Sequence, residues 1–415
     1  MITSNLLERA TQLINLRRFT DAEVQLRDVL SFEPNNALAI SLLALCKSEI
    51  GQHAEAIQLI RQAISQEPDN SYFLYLHSLF LFRNENLKEA EKFISNAIAY
   101  DPNNADYFGL IATIKIEQKE WNAALLYANQ GLSVDSENLT CLNVRSTALL
   151  KLDRKEESFE TIREALSYNP ENDHTHANVG WGLLERGDHV KALESFKEAL
   201  RLNPENEYAK SGMMEALKAR YLVYRIFLKY AFWVGNMKAK GQWIIILGLY
   251  FGVKILRMVA DANENLAVFI KPVIYLYFAF ALSTWLIDPL SNLFLRLNMY
   301  GRYALKREQI KSSNYVGIAL AMALFTITLY FIYDFEFYFL LTIYFTAISI
   351  PLASMFNPKQ PGKRKILVAY TIALLLVGAL SILMMGSSET GLTLWYVFIF
   401  GIVAYQWIAN ALVIR

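Results

Sequence analysis

The side chains that most often act as nucleophiles, bases or metal ligands are confined to the first half of this 415-residue sequence. Beyond Lys218 the sequence contains neither histidine nor cysteine. All seven such residues precede it: His53, His77, His174, His176, His189, Cys46 and Cys141. Histidine and cysteine supply most general bases, thiolate nucleophiles and zinc ligands. The second half therefore lacks the usual means of catalysis.

The histidines themselves form no clear site. His174 and His176 are two residues apart, so on a helix they point to different sides and are poorly placed to share a metal ion. We expect no metal, no cofactor and no enzymatic activity. An intramembrane enzyme remains an alternative, but it would need a catalytic pair without histidine or cysteine.

The elements that would position these residues repeat every 34 residues. Steps of 34 backwards from Pro204 reach four further prolines and one serine: Pro170, Ser136, Pro102, Pro68 and Pro34. Small residues recur at the same interval, first as Ala10, Ala44, Ser78, Ala112, Ser146 and Gly180, then as Ala22, Ala56, Ala90, Ala124, Ser158 and Ala192. Small residues let paired helices approach closely, and proline ends the second helix of each pair. The period predicts six helical hairpins.

This length and spacing resemble the tetratricopeptide repeat. The resemblance covers residues 3–206 and implies an all-α fold, in which six hairpins stack into a solenoid with a concave face that binds proteins or peptides. It also implies that positions 2, 5, 9, 12 and 13 of each repeat line that face. The partner-binding residues expected there are Tyr72, Tyr75, Leu79, Phe82, Arg83, Asn143, Thr147, Lys151, His174, Trp181 and Glu185.

Charge and hydropathy divide the chain into two halves. Residues 1–217 contain 21 Lys and Arg against 32 Asp and Glu, whereas residues 218–415 contain 19 against 7. The near-neutral total of +1 therefore combines an acidic half with a basic half. Hydrophobic residues make up 54% of the chain, and their excess lies beyond residue 242. We expect a solenoid over 1–206 and a transmembrane domain over 242–415.

Six apolar stretches are long enough, or nearly so, to cross a bilayer core of about 30 Å. They lie at about Trp243 to Val259, Val268 to Ile287, Tyr315 to Tyr333, Phe337 to Phe356, Ile366 to Met385 and Leu392 to Leu412, with Asp288-Pro289 and Asn357-Pro358 ending the second and fourth. Lys254 and Arg257 weaken the first stretch. Alternate loops are basic, however, and basic loops stay in the cytoplasm. If every basic loop lies inside, the chain crosses the membrane an even number of times. We therefore predict six crossings with both termini cytoplasmic, in the inner membrane of a bacterium.

Two basic, aromatic-rich segments have a composition typical of neither a soluble domain nor a transmembrane helix. One lies within 207–241, after a capping helix, and the other at about 290–312. Such helices lie in the headgroup layer and are attracted by anionic lipid. The headgroup contacts expected are Arg220, Arg225, Lys229, Lys238, Lys240, Arg296, Arg302, Lys306 and Arg307.

The opening residues contain no apolar run of the kind that forms a signal peptide, so we expect the repeats to stay in the cytosol. The sequence then predicts a non-catalytic adaptor that recruits a cytosolic protein partner to the membrane. The alternative is a transporter or channel component regulated by its repeats. The transmembrane domain leaves open a homo-oligomer or a membrane-protein partner, and no nucleic-acid partner is expected.

Overall fold

The computed structural model describes residues 2–296, 305–358, 360–385 and 389–414. Over these ranges every regular element is an α-helix, and we number the twenty helices α1 to α20. The all-α prediction is confirmed. The chain divides into two compact units, the first made of residues 1–186, 194–209 and 235–238 and the second of the remainder.

Twelve helices form the six predicted hairpins. They pair as α1 (Ile2–Asn15) with α2 (Phe19–Phe32), α3 (Ala37–Glu49) with α4 (His53–Gln66), α5 (Ser71–Arg83) with α6 (Leu87–Tyr100), α7 (Ala105–Glu117) with α8 (Trp121–Val134), α9 (Leu139–Lys151) with α10 (Lys155–Tyr168), and α11 (Asp173–Glu185) with α12 (His189–Leu202). The 34-residue period is therefore one hairpin.

An asparagine starts the first helix of each successive hairpin. Asn36, Asn70, Asn104, Asn138 and Asn172 are N-cap residues whose side chains accept a hydrogen bond from a backbone N–H two or three residues later, at distances between 2.8 and 3.3 Å. Asn206 does the same for Ala209 at 2.9 Å, next to α13 (Glu207–Lys218). Such caps contribute about 1 kcal/mol each. The prolines of the period lie two residues before these caps, where a helix cannot continue.

The turn inside each hairpin contains one residue in the left-handed backbone region. These residues also recur every 34 positions: Arg17, Gly51, Glu85, Lys119, Asp153 and Gly187, with φ between 57° and 88°. Only two are glycine, so the other four turns adopt this conformation at a cost of about 1 kcal/mol or more each. The tight packing of each hairpin must offset that cost.

The small residues of the period lie where the two helices of a hairpin touch. Ala10, Ala44, Ala112 and Gly180 on first helices, and Ala22, Ala56, Ala90, Ala124 and Ala192 on second helices, are all buried. Larger apolar side chains, including Phe73, Phe80, Ile60 and Ile94, fill the space between successive hairpins. The contacts that the spacing predicted therefore form the solenoid core.

The remaining helices follow α13. They are α14 (Leu222–Gly235), α15 (Ala239–Ala262), α16 (Glu264–Leu295), α17 (Arg307–Tyr333), α18 (Glu336–Ser354), α19 (Pro361–Met384) and α20 (Glu389–Ile414). Within the described residues, five helices are long and apolar enough to cross a membrane: Asn265–Leu295, Arg307–Tyr333, Glu336–Ser354, Pro361–Met384 and Glu389–Leu412. The first predicted span lies in α15, which is helical but is not among these five. Its crossing stays a prediction.

Hydroxyl groups join the apolar helices to one another. Thr326 on α17 and Thr342 on α18 have their hydroxyl oxygens 2.9 Å apart, and the Tyr405 hydroxyl of α20 donates to the carbonyl of Pro351 on α18 at 3.2 Å. Tyr344, Leu367, Phe398 and Tyr405 belong to the main apolar cluster of this unit. Hydrogen bonds of this kind hold helices together where water is excluded.

The predicted end of the second span was wrong. Asp288-Pro289 does not end a helix, because α16 runs through both residues to Leu295. Proline lacks only the N–H of one backbone hydrogen bond, and long helices tolerate that loss when neighbouring contacts hold them. The interfacial segment predicted near 290–312 is therefore divided between the end of α16, residues 297–304 outside the described ranges, and the start of α17.

Candidate protein-binding groove

Three tyrosines form a stack on the first helices of the third and fourth repeats. The Tyr72 and Tyr75 rings are 6.3 Å apart, and the Tyr75 and Tyr107 rings are 5.1 Å apart, each pair inclined by 26°. Tyr72 is 36% exposed, Tyr75 is half-buried and Tyr107 is buried. Burial raises the pKa of Tyr75 to about 12, so its hydroxyl stays neutral and can donate hydrogen bonds. Tyr72 is therefore the exposed ring of the stack.

Other predicted residues of the third repeat support this stack. Leu79 and Phe82 are half-buried and pack against the apolar clusters between hairpins. Arg83 forms an ion pair of 2.7 Å with Glu49 and donates to the Ser48 hydroxyl at 2.9 Å. The Arg83 guanidinium is therefore already engaged by the preceding repeat.

In the fifth repeat, two predicted residues are committed to the fold. The Asn143 amide is buried and donates to the Thr175 hydroxyl at 3.0 Å. The Thr147 hydroxyl donates to the backbone carbonyl of Asn143, also at 3.0 Å. The first contact joins α9 to α11, and the second lies within α9.

Lys151 and Glu185 form an ion pair of 2.6 Å between the fifth and sixth repeats. A residue from a distant part of the chain covers this pair. Asn236 accepts a hydrogen bond from the Lys151 ammonium and donates one to the Glu185 carboxylate, both at 2.8 Å. Both charges are thus engaged by the protein itself.

The segment Gly235–Lys238 makes two further contacts with the solenoid. The Lys119 ammonium donates to the backbone carbonyl of Met237 at 2.8 Å, and the Lys238 ammonium lies 3.7 Å from Glu120. Nothing in the repeat period points to this docking, because Asn236 lies 85 residues beyond Lys151. We call residues 235–238 the covering segment.

In the sixth repeat, His174 is exposed and Trp181 is half-buried. The Trp181 ring packs edge-on against Phe196 at 5.7 Å and beside Tyr208 at 5.6 Å, and its N–H donates to the Tyr208 carbonyl at 3.3 Å. The predicted groove residues therefore separate into two sets. The Tyr72 ring is exposed, whereas Lys151, Trp181 and Glu185 are in contact with other parts of the chain.

The predicted headgroup residues occupy several environments. Arg220, Lys229, Lys238, Lys306 and Arg307 are exposed. Arg225 is half-buried and donates to the carbonyl of Ala219 at the end of α13. Arg296 donates to the Ile310 carbonyl, the Ser313 hydroxyl and the Asn314 amide of α17, at 2.6 to 2.9 Å. Lys240 belongs to α15, with its side chain outside the described part, and Arg302 lies outside the described residues.

Lys218 is buried although it carries a charge. It is 3% exposed, at the end of α13, and its ammonium lies 2.8 Å from Asp288 and 3.2 Å from Glu215. Burial disfavours its charge, but the Asp288 and Glu215 carboxylates outweigh burial and raise the pKa of Lys218 above its usual value. Tyr224 hydrogen-bonds to both carboxylates. A buried cation requires such partners.

Both cysteines and one histidine are placed for packing. Cys46 and Cys141 are buried, and burial raises the pKa of each thiol to about 12, far from the thiolate form. His77 is buried against Phe93. Among the described residues, no group of three or more His, Cys, Asp or Glu side chains could hold a metal ion.

Family comparison agrees with this architecture. Models of the tetratricopeptide repeat match residues 13–80, 49–114, 139–172 and 174–206. The N-terminal half of the chain is a tetratricopeptide-repeat domain. Domains of this kind are protein-interaction scaffolds. No curated protein matches the chain.

Several solved tetratricopeptide-repeat structures are similar at low identity. A repeat protein of Parabacteroides merdae is 14% identical with a TM-score of 0.45, covering 51% of this chain and 82% of its own. The pilF protein of Pseudomonas aeruginosa is 16% identical with a TM-score of 0.41, covering 51% and 96%. YrrB, described as having an unusual peptide-binding site, is 16% identical with a TM-score of 0.32, covering 44% and 95%.

Proposed function

We propose that this protein is a non-catalytic, membrane-anchored adaptor whose tetratricopeptide repeats hold a cytosolic protein at the inner face of a bacterial inner membrane. Five apolar helices support the anchoring. The repeat domain supports protein recognition. The observation that carries the proposal is the Tyr72, Tyr75 and Tyr107 stack, which lies on the first helices of the third and fourth repeats.

Aromatic side chains at the centre of an interface usually carry most of its binding energy. Tyr72 combines an exposed ring with a rigid base, since Tyr75 and Tyr107 beneath it are held by the core. A rigid aromatic loses little conformational entropy when a partner covers it. The partner therefore binds at the third repeat. In the sixth repeat, Glu185 is already in contact with the covering segment.

The test compares two exposed tyrosines of the same repeat. Tyr72 lies on α5 and Tyr100 on α6, where it is 55% exposed. Proteins that co-purify with the full chain from native membranes are quantified by mass spectrometry for Tyr72→Ala and Tyr100→Ala. We expect Tyr72→Ala to reduce recovery of the main partner about tenfold or more, as hot-spot truncations do, and Tyr100→Ala to leave it unchanged.

Equal recovery with both variants would show that the third-repeat face does not bind the partner. Circular dichroism of each variant establishes that the helices are intact. Anchoring is tested separately, by whether the chain remains in the membrane fraction after an alkaline wash. Release into the soluble fraction would contradict the membrane part of the proposal.

A further inference from the structure

A cavity of about 780 Å³ lies between α15 and α16, near the turn at Asn263 that joins them. Its lining contains four charged side chains: Lys254, Arg257, Asp261 and Lys271. Aromatic and aliphatic residues complete it, among them Tyr250, Tyr275, Tyr277, Ile274 and Phe278. The cavity therefore has a cationic part and an apolar part.

Three of the four charged side chains are positive, so in the described lining the positive charges outnumber the negative ones. Lys254, Arg257 and Lys271 are exposed, and in the described part of the chain none of them forms an ion pair. Among the described side chains, Asp261 is the only acidic one that lines the cavity. Uncompensated cations are costly beside apolar surface, so a bound anion would stabilise this arrangement.

The surface around the cavity is that of a membrane helix. The stretch Asn265–Leu295 is apolar enough to span a bilayer, and Tyr275, Leu276 and Phe278 are exposed on it. Tyrosine favours the boundary between headgroups and acyl chains. A ligand that satisfies both parts of the cavity has an anionic head for the cations and a hydrocarbon tail for the face of α16.

We propose that Lys254, Arg257 and Lys271 form a binding site for the phosphate of an acidic phospholipid, whose acyl chains lie along α16. The guanidinium of Arg257 can bind two phosphate oxygens at once, and the two ammonium groups add point charges. Asp261 opposes the anion and limits the affinity. This site does not depend on partner binding by the repeats.

The test uses the full chain purified in a neutral detergent, with phosphatidylglycerol and phosphatidylcholine as probes and native mass spectrometry to count bound lipids. Each basic side chain near an anionic surface contributes about fivefold in affinity. We expect Lys254→Gln/Arg257→Gln/Lys271→Gln to reduce phosphatidylglycerol affinity at least about tenfold, without changing phosphatidylcholine binding. The control Lys88→Gln/Lys92→Gln/Lys155→Gln removes the same charge from exposed positions in the repeat domain, and a change below about twofold is expected.

A second variant gives the opposite result, which a misfolded protein could not produce. Asp261→Asn removes a carboxylate from the lining, so phosphatidylglycerol should bind about two- to fivefold more tightly. Equal losses in the two triple variants, or weaker binding by Asp261→Asn, would overturn the proposal. Glycerol phosphate serves as a soluble competitor for phosphatidylglycerol binding. If it competes as well as the lipid at equal concentration, the ligand is a soluble phosphate and the lipid assignment is wrong.

Discussion

Lys151 and Glu185 occupy the same position in consecutive repeats and form an ion pair of 2.6 Å. Glu49 and Arg83 form the same contact between earlier repeats, at 2.7 Å. Along this position the charges alternate in sign, as Glu49, Arg83, Glu117, Lys151 and Glu185. The alternation turns groove residues into links between hairpins. At this position Arg83 and Lys151 are each paired with a carboxylate of a neighbouring repeat.

Charge exchange tests the Lys151–Glu185 link. Lys151→Glu alone places two carboxylates together, whereas Lys151→Glu with Glu185→Lys recreates the pair in reverse. The amide of Asn236 can rotate to suit either orientation. We expect a coupling free energy of about 1 to 2 kcal/mol, measured from hydrogen exchange of α9 and α11 amides in the single and double variants. Additive effects would mean that the pair contributes nothing to repeat stacking.

Asn236→Ala should release the covering segment. The change removes two hydrogen bonds of 2.8 Å and leaves the Lys151–Glu185 pair in place. We expect faster hydrogen exchange at residues 235–238 and unchanged exchange in α9. Lys238→Ala is the matched control, because its side chain is 63% exposed and exposed ion pairs contribute little. If both variants behave alike, Asn236 does not hold the segment.

His77 should make the repeat domain sensitive to acid. Its ring is buried, and neither ring nitrogen has a hydrogen-bond partner among the described residues. Burial lowers its pKa to about 4, with a smaller contribution from Arg61. In the unfolded chain the imidazole takes up a proton near pH 6.5. The unfolded state therefore binds more protons between pH 6.5 and pH 4, and stability falls as pH falls through this window.

We expect His77→Leu to remove this pH dependence. The wild-type chain should lose about 1 to 3 kcal/mol more than the variant between pH 7 and pH 4.5. Urea unfolding followed by circular dichroism at both pH values measures the difference. His174→Gln removes an exposed imidazole and should unfold like the wild type. If the His77→Leu variant loses as much stability at low pH as the wild type, groups other than His77 cause the acid sensitivity.

Gly180 and Gly182 provide a matched pair on one helix. A Cβ atom at Gly180 would lie 2.6 Å from the ring of Phe196, which is fully buried and cannot move aside. A Cβ at Gly182 would meet only Leu150, at 3.4 Å. Gly180→Ala should destabilise the sixth hairpin by about 1 to 3 kcal/mol, whereas Gly182→Ala should be neutral or stabilise α11 by up to about 1 kcal/mol.

Hydrogen exchange of α11 amides measures both glycine variants. Similar exchange in the two would show that the hairpin tolerates a wider separation than its geometry indicates. The comparison also bears on Trp181, because the same Phe196 ring contacts it.

The number of crossings is tested with a reporter active only in the cytosol. Under the six-span prediction it is active when fused after Ser312, Lys365 or Arg415 and inactive after Glu264 or Glu389, since basic loops stay inside. The Glu264 fusion is the most direct test of α15, because α15 is the one candidate span that precedes it. Activity there would mean that α15 does not cross.

Local spacing determined much of this fold. A 34-residue period of small residues and prolines is sufficient to predict six hairpins, because close helix approach and helix termination depend on residues near in sequence. The capping asparagines, such as Asn36 and Asn172, share that period and could have been read from it. Long apolar runs likewise indicate membrane helices, since the bilayer sets their length.

Tertiary structure alone decided which of the predicted residues remain available. Periodicity places Lys151 and Tyr72 on equivalent surfaces, yet Asn236 covers one and leaves the other open. Lys218 is polar by type but buried, because Glu215 and Asp288 meet it. Lys271 joins Lys254 and Arg257 only when α16 packs against α15. Such contacts join residues far apart in sequence, so their formation depends on how whole helices pack and no local pattern encodes it.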